Sequence, residues 1–261
     1  MSRLSQTGRY LLLMAILAIM VFPLLWMFVF SFKIPGGGFS FDNFTYIFST
    51  NRFGRYLFNS LFVATIVTTA NILFCFMCGY ALARKRIPGE RFWFYSVLIV
   101  LMVPVHIVII PVYLMMNKLG LYDSYLALIL PWLVNPIGIF LVRQYISTLP
   151  ESLEEAARID GAGEMRILFK IVMPLCRPAL AILAVQVFMT NWNSFLFPFI
   201  LTSSEEYRTL PVALALLLGY QSIDWYQLMA GSVVAVVPVL AVFLVFQRQI
   251  VSGITAGAFK Q

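Results

Sequence analysis

The chain has 261 residues, 61% of them hydrophobic and only 11% charged, with a mean hydropathy of +0.90. A soluble fold of this length covers its surface with Lys, Glu, Asp and Arg; too few are present here, which excludes an ordinary soluble domain and leaves lipid as the solvent. The net charge of +7 carries no nucleic-acid signal, because the basic residues are distributed as membrane topology demands.

Crossing about 30 Å of hydrocarbon takes about 20 helical residues. Six segments meet that length, at about 10–32, 57–83, 92–116, 121–142, 179–201 and 228–246. They predict an all-α, polytopic fold in which residues 1–261 form one transmembrane domain. The first segment is expected to be retained and not cleaved as a leader, since no small-x-small site precedes Lys33. In the second, Ala64 with Thr68 and Gly79 with Ala83 are small residues four apart, which lets helices approach closely. Cys75 and Cys78 sit in the same apolar run and read as packing residues, because a redox or zinc pair needs a polar, accessible setting.

The third segment holds His106 between Pro104 and Pro111, and a helix distortion there is expected to free a carbonyl for the imidazole. The alternative reading of His106 is solute contact. The fifth carries Gln186, Thr190, Asn191, Trp192, Asn193 and Ser194, a density of amides and hydroxyls that belongs against protein or water. Amides beside an aromatic face are the chemistry that sugar hydroxyls and ring C–H groups need. Gln186, Asn191 and Asn193 are therefore candidates to line a solute path, with Trp192 as a stacking partner; interhelical hydrogen bonding is the competing reading. Beyond this segment, Leu210–Leu218 is too short to span and predicts a lying or re-entrant helix.

Most of the 18 Lys and Arg residues, the run Arg84-Lys85-Arg86 among them, fall on the side shared by the two chain ends. Only Lys33, Arg52, Arg55, Lys118 and Arg208 fall on the other. Both termini are expected to be cytoplasmic.

The loop at about 148–178 changes composition abruptly, with Glu151, Glu154, Glu155, Arg158, Asp160, Glu164, Arg166, Lys170 and Arg177 in one interval. Thr148-Leu-Pro-Glu151 fits a capping box opening a short helix to about Asp160, which Gly161-Ala-Gly163 stops. A second helix is expected from Glu164, with Met165, Leu168, Phe169 and Val172 as its apolar stripe and Pro174 as its end. Two short helices around a glycine turn make a knob suited to docking another protein. The competing reading is a hairpin lying on headgroups, which the acidic residues oppose, because a helix on anionic lipid favours Lys and Arg.

Other chemistries find little support. There is no G-x-x-x-x-G-K-[ST] phosphate loop, so nucleotide chemistry must come from a partner. Apart from Asp123 at the outer edge of the fourth, the expected spans hold no Asp, Glu, Lys or Arg, and His106 is the one histidine in the hydrocarbon interior, whereas ion-coupled carriers use intramembrane carboxylates. A membrane enzyme would need a His/Cys/Asp/Glu cluster at the surface, and none is visible.

The spacing Glu155-Ala156-Ala157, three residues, Gly161, nine residues, Ile171-x-Met173-Pro174 resembles the E-A-A-x3-G-x9-I-x-L-P loop of permease subunits of binding-protein-dependent ABC importers. Met173 replaces Leu, a volume-conserving change. Asn191-Trp192-Asn193 and the tail Gly253-Ile-Thr-Ala-Gly257-Ala-Phe-Lys260 resemble the carbohydrate branch of that family, the maltose-type or MalG-like permeases. The resemblance implies a non-catalytic channel subunit in a bacterial or archaeal plasma membrane. It implies that Glu154, Glu155, Ala156, Ala157, Asp160, Gly161, Ile171 and Pro174 form the element seated in an ATPase cleft, and that Gly253, Gly257 and Lys260 touch the ATPase pair. Implied partners are a second homologous permease, two ATP-binding cassette subunits holding ATP and Mg, and an extracytoplasmic solute-binding protein. The chain itself is expected to bind no cofactor, and its solute to be a sugar, oligosaccharide, polyol or glycerol-phosphate.

Overall fold

The computed structural model describes residues 3–50, 52–217 and 224–258. The first helix, α1 (Arg3–Ser31), carries Pro23 and exposes nearly all its apolar side chains, so only lipid or another chain can cover it. After the short helix α2 (Asp42–Thr50) comes α3 (Phe53–Arg84), 32 residues long and the axis of the molecule. It packs most heavily on α7 (Pro136–Ile146) and α11 (Arg177–Trp192). Two glycines make that approach possible. A Cβ on Gly79 would stand 2.8 Å from Val142 Cγ1, and one on Gly138 would stand 2.7 Å from Leu183 Cδ1 and 2.9 Å from Cys75 Sγ.

The expected third span is not one helix. α4 (Glu90–Leu101) and α5 (Ile109–Lys118) are separated by a 3-10 turn at Val105–Val108, and the pair is bent by 90°. Pro104 causes the break: it lacks an N–H and adopts an extended ψ of 124°. His106 does not bond a freed carbonyl; its exposed ring lies 6.5 Å from that of Phe197.

The fourth span is also interrupted. α6 (Tyr125–Ile129) passes through a 3-10 turn at Leu130–Trp132 before α7 begins at Pro136. Backbone groups freed at membrane depth need partners. Polar residues of α3 supply them: Asn71 Nδ2 donates to the Trp132 carbonyl at 2.7 Å and Cys75 Sγ to that of Asn135 at 3.3 Å.

The loop region comprises α8 (Ser152–Ile159), α9 (Glu164–Arg166), a π-helical turn at Ile167–Val172 and α10 (Met173–Leu175). Glu164–Leu175 meets α11 at a bend of 77°. The expected fifth span breaks after α11, and α12 (Leu196–Leu201) completes it. α13 (Leu210–Leu217) is the predicted short helix, buried through Leu210, Val212 and Ala213. The chain closes with α14 (Trp225–Ala258). Among the described residues four helices are long and apolar enough to cross a bilayer, and up to six if each bent pair is one span.

Away from the loop, the start of α3 grips the segment between α12 and α13. Asn59, fully buried, donates from Nδ2 to the carbonyls of Glu206 and Arg208, each at 2.8 Å, and accepts from Tyr125 Oη at 2.6 Å. Asp123, at φ 55°, accepts from the amides of Ser203 and Ser204 and from the Ser204 hydroxyl. Burial opposes ionisation of this carboxyl, but those donors outweigh it and hold its pKa below the ordinary value.

Candidate coupling loop and solute path

The capping box does not form. Thr148 Oγ1 donates to the Tyr145 carbonyl at 2.7 Å, and α8 begins at Ser152 with no side-chain cap. Glu151 instead turns to Arg84, at 3.3 Å. The end of α8 is as expected, and its geometry explains the glycine. Gly161 N–H donates to Arg158 O at 3.0 Å and Ala162 N–H to Ala157 O at 2.9 Å, a Schellman motif that requires the left-handed φ of 80° at Gly161.

The loop has an inward and an outward face, and the candidate residues divide between them. Ala157 is buried in the large core, and Ile171 and Pro174 are half-buried. Glu155, Ala156, Asp160 and Gly161 are exposed. Ile159 and Met165, on either side of the glycine turn, are 86% and 65% exposed. Met165 is thus absent from the apolar stripe that its spacing suggested. The wider π turn changes the register, and Ile167 packs inward with Leu168 and Val172. Pro174 does not end the second helix but lies within its last turn.

Glu154 departs furthest from a docking role, being only 4% exposed. Its Oε1 accepts from Arg84 Nε at 2.8 Å and its Oε2 from Tyr80 Oη at 2.9 Å, with Arg158 Nη2 at 3.5 Å. Arg84 also donates to the Leu149 carbonyl. The carboxylate therefore ties the loop to the end of α3. Nearer solvent, Glu164 pairs with Lys85 and with Arg158, and these hydrogen bonds, Lys85 first, lower its pKa. Arg143 stacks over Phe94 at 3.9 Å and reaches Glu90 at 3.6 Å, which fastens α7 to α4. Sequence reasoning missed Tyr80 and Arg84 as parts of this site. A basic residue closing an apolar run was the visible signal for Arg84; nothing local marks its partner.

The candidate path residues are also divided. Trp192 is 3% exposed, stacks on Phe188 and donates from Nε1 to Ala235 O at 3.2 Å. It is a core residue joining α11 to α14, which corrects its assignment as a stacking surface for solute. Asn191 donates to Val187 O and, with Ser60, Ser194 and Thr209, lines an internal space of about 10 Å³. That holds one water and no sugar ring. Gln186 is half-buried, and its carbonyl accepts from Thr190. Asn193 is exposed where the span breaks. Gly253 and Gly257 fall in the last turns of α14, and Lys260 lies outside the described residues.

Residues 71–255 match the family described as binding-protein-dependent transport system inner membrane component. The chain belongs to this family. Among similar members of this permease family, an arabinooligosaccharide transport permease (AraQ) of Halalkalibacterium halodurans is 41% identical over 220 residues, 84% of this chain and 79% of that protein. A trehalose/maltose transport permease (MalG) of Thermococcus litoralis is 34% identical over 263 residues, 95% and 94% of the two chains. Among solved structures, a chain of a bacterial ABC transporter that imports the acidic polysaccharide alginate superposes with a TM-score of 0.83 at 25% identity, covering 95% of this chain and 98% of that one. The protein is thus an inner-membrane permease subunit of an ABC importer, and its broken, polytopic helical fold is that of an importer permease.

Proposed function

We propose that this permease carries a sugar or oligosaccharide, received from an extracytoplasmic solute-binding protein, and works beside a second homologous permease. Its energy comes from two ATP-binding cassette subunits that hold ATP and Mg and grip the loop at 148–178. The chain itself makes and breaks no bonds and binds no cofactor. The knob and both termini face the cytoplasm of a bacterial or archaeal cell. One observation carries this reading: Glu155, Ala156, Asp160 and Gly161, flanked by bare Ile159 and Met165, form an outward face, while the residues behind them are locked into the core. An apolar tip with small residues on a rigid base suits a protein cleft. The relatives named for arabinooligosaccharides and for trehalose and maltose support a sugar solute.

The test replaces Gly161 by Val. The left-handed φ strains any β-branched side chain by about 1–2 kcal/mol, while a Cβ there meets no neighbour, so the damage is confined to the turn. Expected are loss of ATPase subunits on detergent purification and loss of ATP-driven, ionophore-insensitive sugar uptake. Undiminished ATPase attachment and uptake would overturn the reading.

A further inference from the structure

The knob is joined covalently to α7 and α11, but neither junction continues the helix straight through. Before α8 the chain leaves helical geometry between Ile146 and Ser152, and after α10 it bends by 77° into α11. Its strongest polar attachment is to neither neighbour but to α3, 70 residues away in sequence. The Arg84 and Glu154 side chains are 7% and 6% exposed. The guanidinium is spent on Glu154, Glu151 and the Leu149 carbonyl, and the carboxylate on Arg84, Tyr80 and Arg158. Pulling such a pair apart would leave an uncompensated charge in the interior. α8 and the end of α3 therefore move as one piece.

What α3 does with that displacement follows from its packing. Gly79 and Gly138 set α3 against α7 and α11 without slack, so the three helices share one core. Toward its other end, about 40 Å away by helical rise, Arg55 and Asn59 hold the segment at 206–208 between α12 and α13. We propose that the buried Arg84–Glu154–Tyr80 joint is a transmission element: it makes α3 the rod that carries a movement of the knob to the opposite face. Arg84, Glu154 and Tyr80 are positioning residues, acting on solute only through α3. This rests on the ATPase-docking reading given above.

The experiment uses the complete transporter, with ATPase subunits, partner permease and binding protein, in proteoliposomes, and reads solute moved per ATP hydrolysed. Glu154→Gln keeps the shape and removes the charge. ATPase attachment and ATP hydrolysis are expected to persist while solute per ATP falls about tenfold, the size typical of a lost coupling contact. Tyr80→Phe removes one hydroxyl and is expected to lower the same ratio about twofold; it keeps the test open if Glu154→Gln does not assemble. A normal ratio in both variants overturns the joint, and so does loss of ATPase attachment, because the cluster would then only build the docking face. If the wild-type chain itself holds no ATPase, the docking reading falls and takes the joint with it.

Discussion

The two ends of α3 are fastened by different physics. At the knob end the fastener is a charged pair withdrawn from solvent, Arg84 and Glu154, with Tyr80 completing it. At the far end the withdrawn group is the neutral amide of Asn59, and the charged pair beside it, Arg55 with Glu206, has side chains 43% and 60% exposed. An exposed pair in high dielectric contributes little and reorganises freely. A buried one is costly to assemble and costlier to break. The contrast suggests one end built to transmit force and another built to hold a segment that can still be repositioned.

Three measurements sharpen or break that contrast. The largest effect is expected from Arg84→Met, which strands Glu154 in the interior and should lower unfolding stability in detergent by about 3 kcal/mol; an unchanged transition would mean that the joint is not buried as described. Next comes Asn59→Leu, which leaves two carbonyls and the Tyr125 hydroxyl short of a partner. A loss of about 2 kcal/mol is expected, with faster hydrogen exchange at 206–208.

The smallest effect concerns Asp123. Its folded pKa lies below its ordinary 3.8, so the unfolded chain binds the proton more readily. Its stabilising contribution is therefore complete above that ordinary value and is lost as pH falls through the folded one. Acidification should release the Ser203 and Ser204 amides to exchange, and Asp123→Ala should release them at neutral pH, at a cost of about 1 kcal/mol. Amides that stay protected in the variant would remove Asp123 from the far-end grip.

Much of the architecture was legible because hydropathy and spacing are local. The apolar runs, the charged loop, the turn at Gly161 and the short helix at 210–217 follow from neighbours within a few residues. The proline breaks were only half legible. Pro104 announced a distortion, but a bend of 90° depends on what α5 packs against after the helix stops. The loop's apolar stripe was misread at Met165 because a π turn adds a residue to the repeat, which a period of 3.6 cannot reveal.

The sequence by itself determined that this chain lives in a bilayer, where its apolar runs fall and which loop carries the permease signature, since each depends on composition or spacing along the chain. Only the tertiary structure decided which of two adjacent glutamates faces inward. Glu154 and Glu155 are indistinguishable in a string, but helical geometry turns successive side chains about 100° apart. The partners that claim Glu154, Tyr80 and Arg84, lie 74 and 70 residues away. The same reason took Trp192 into the core: burial is a property of what packs alongside, and that comes from α14.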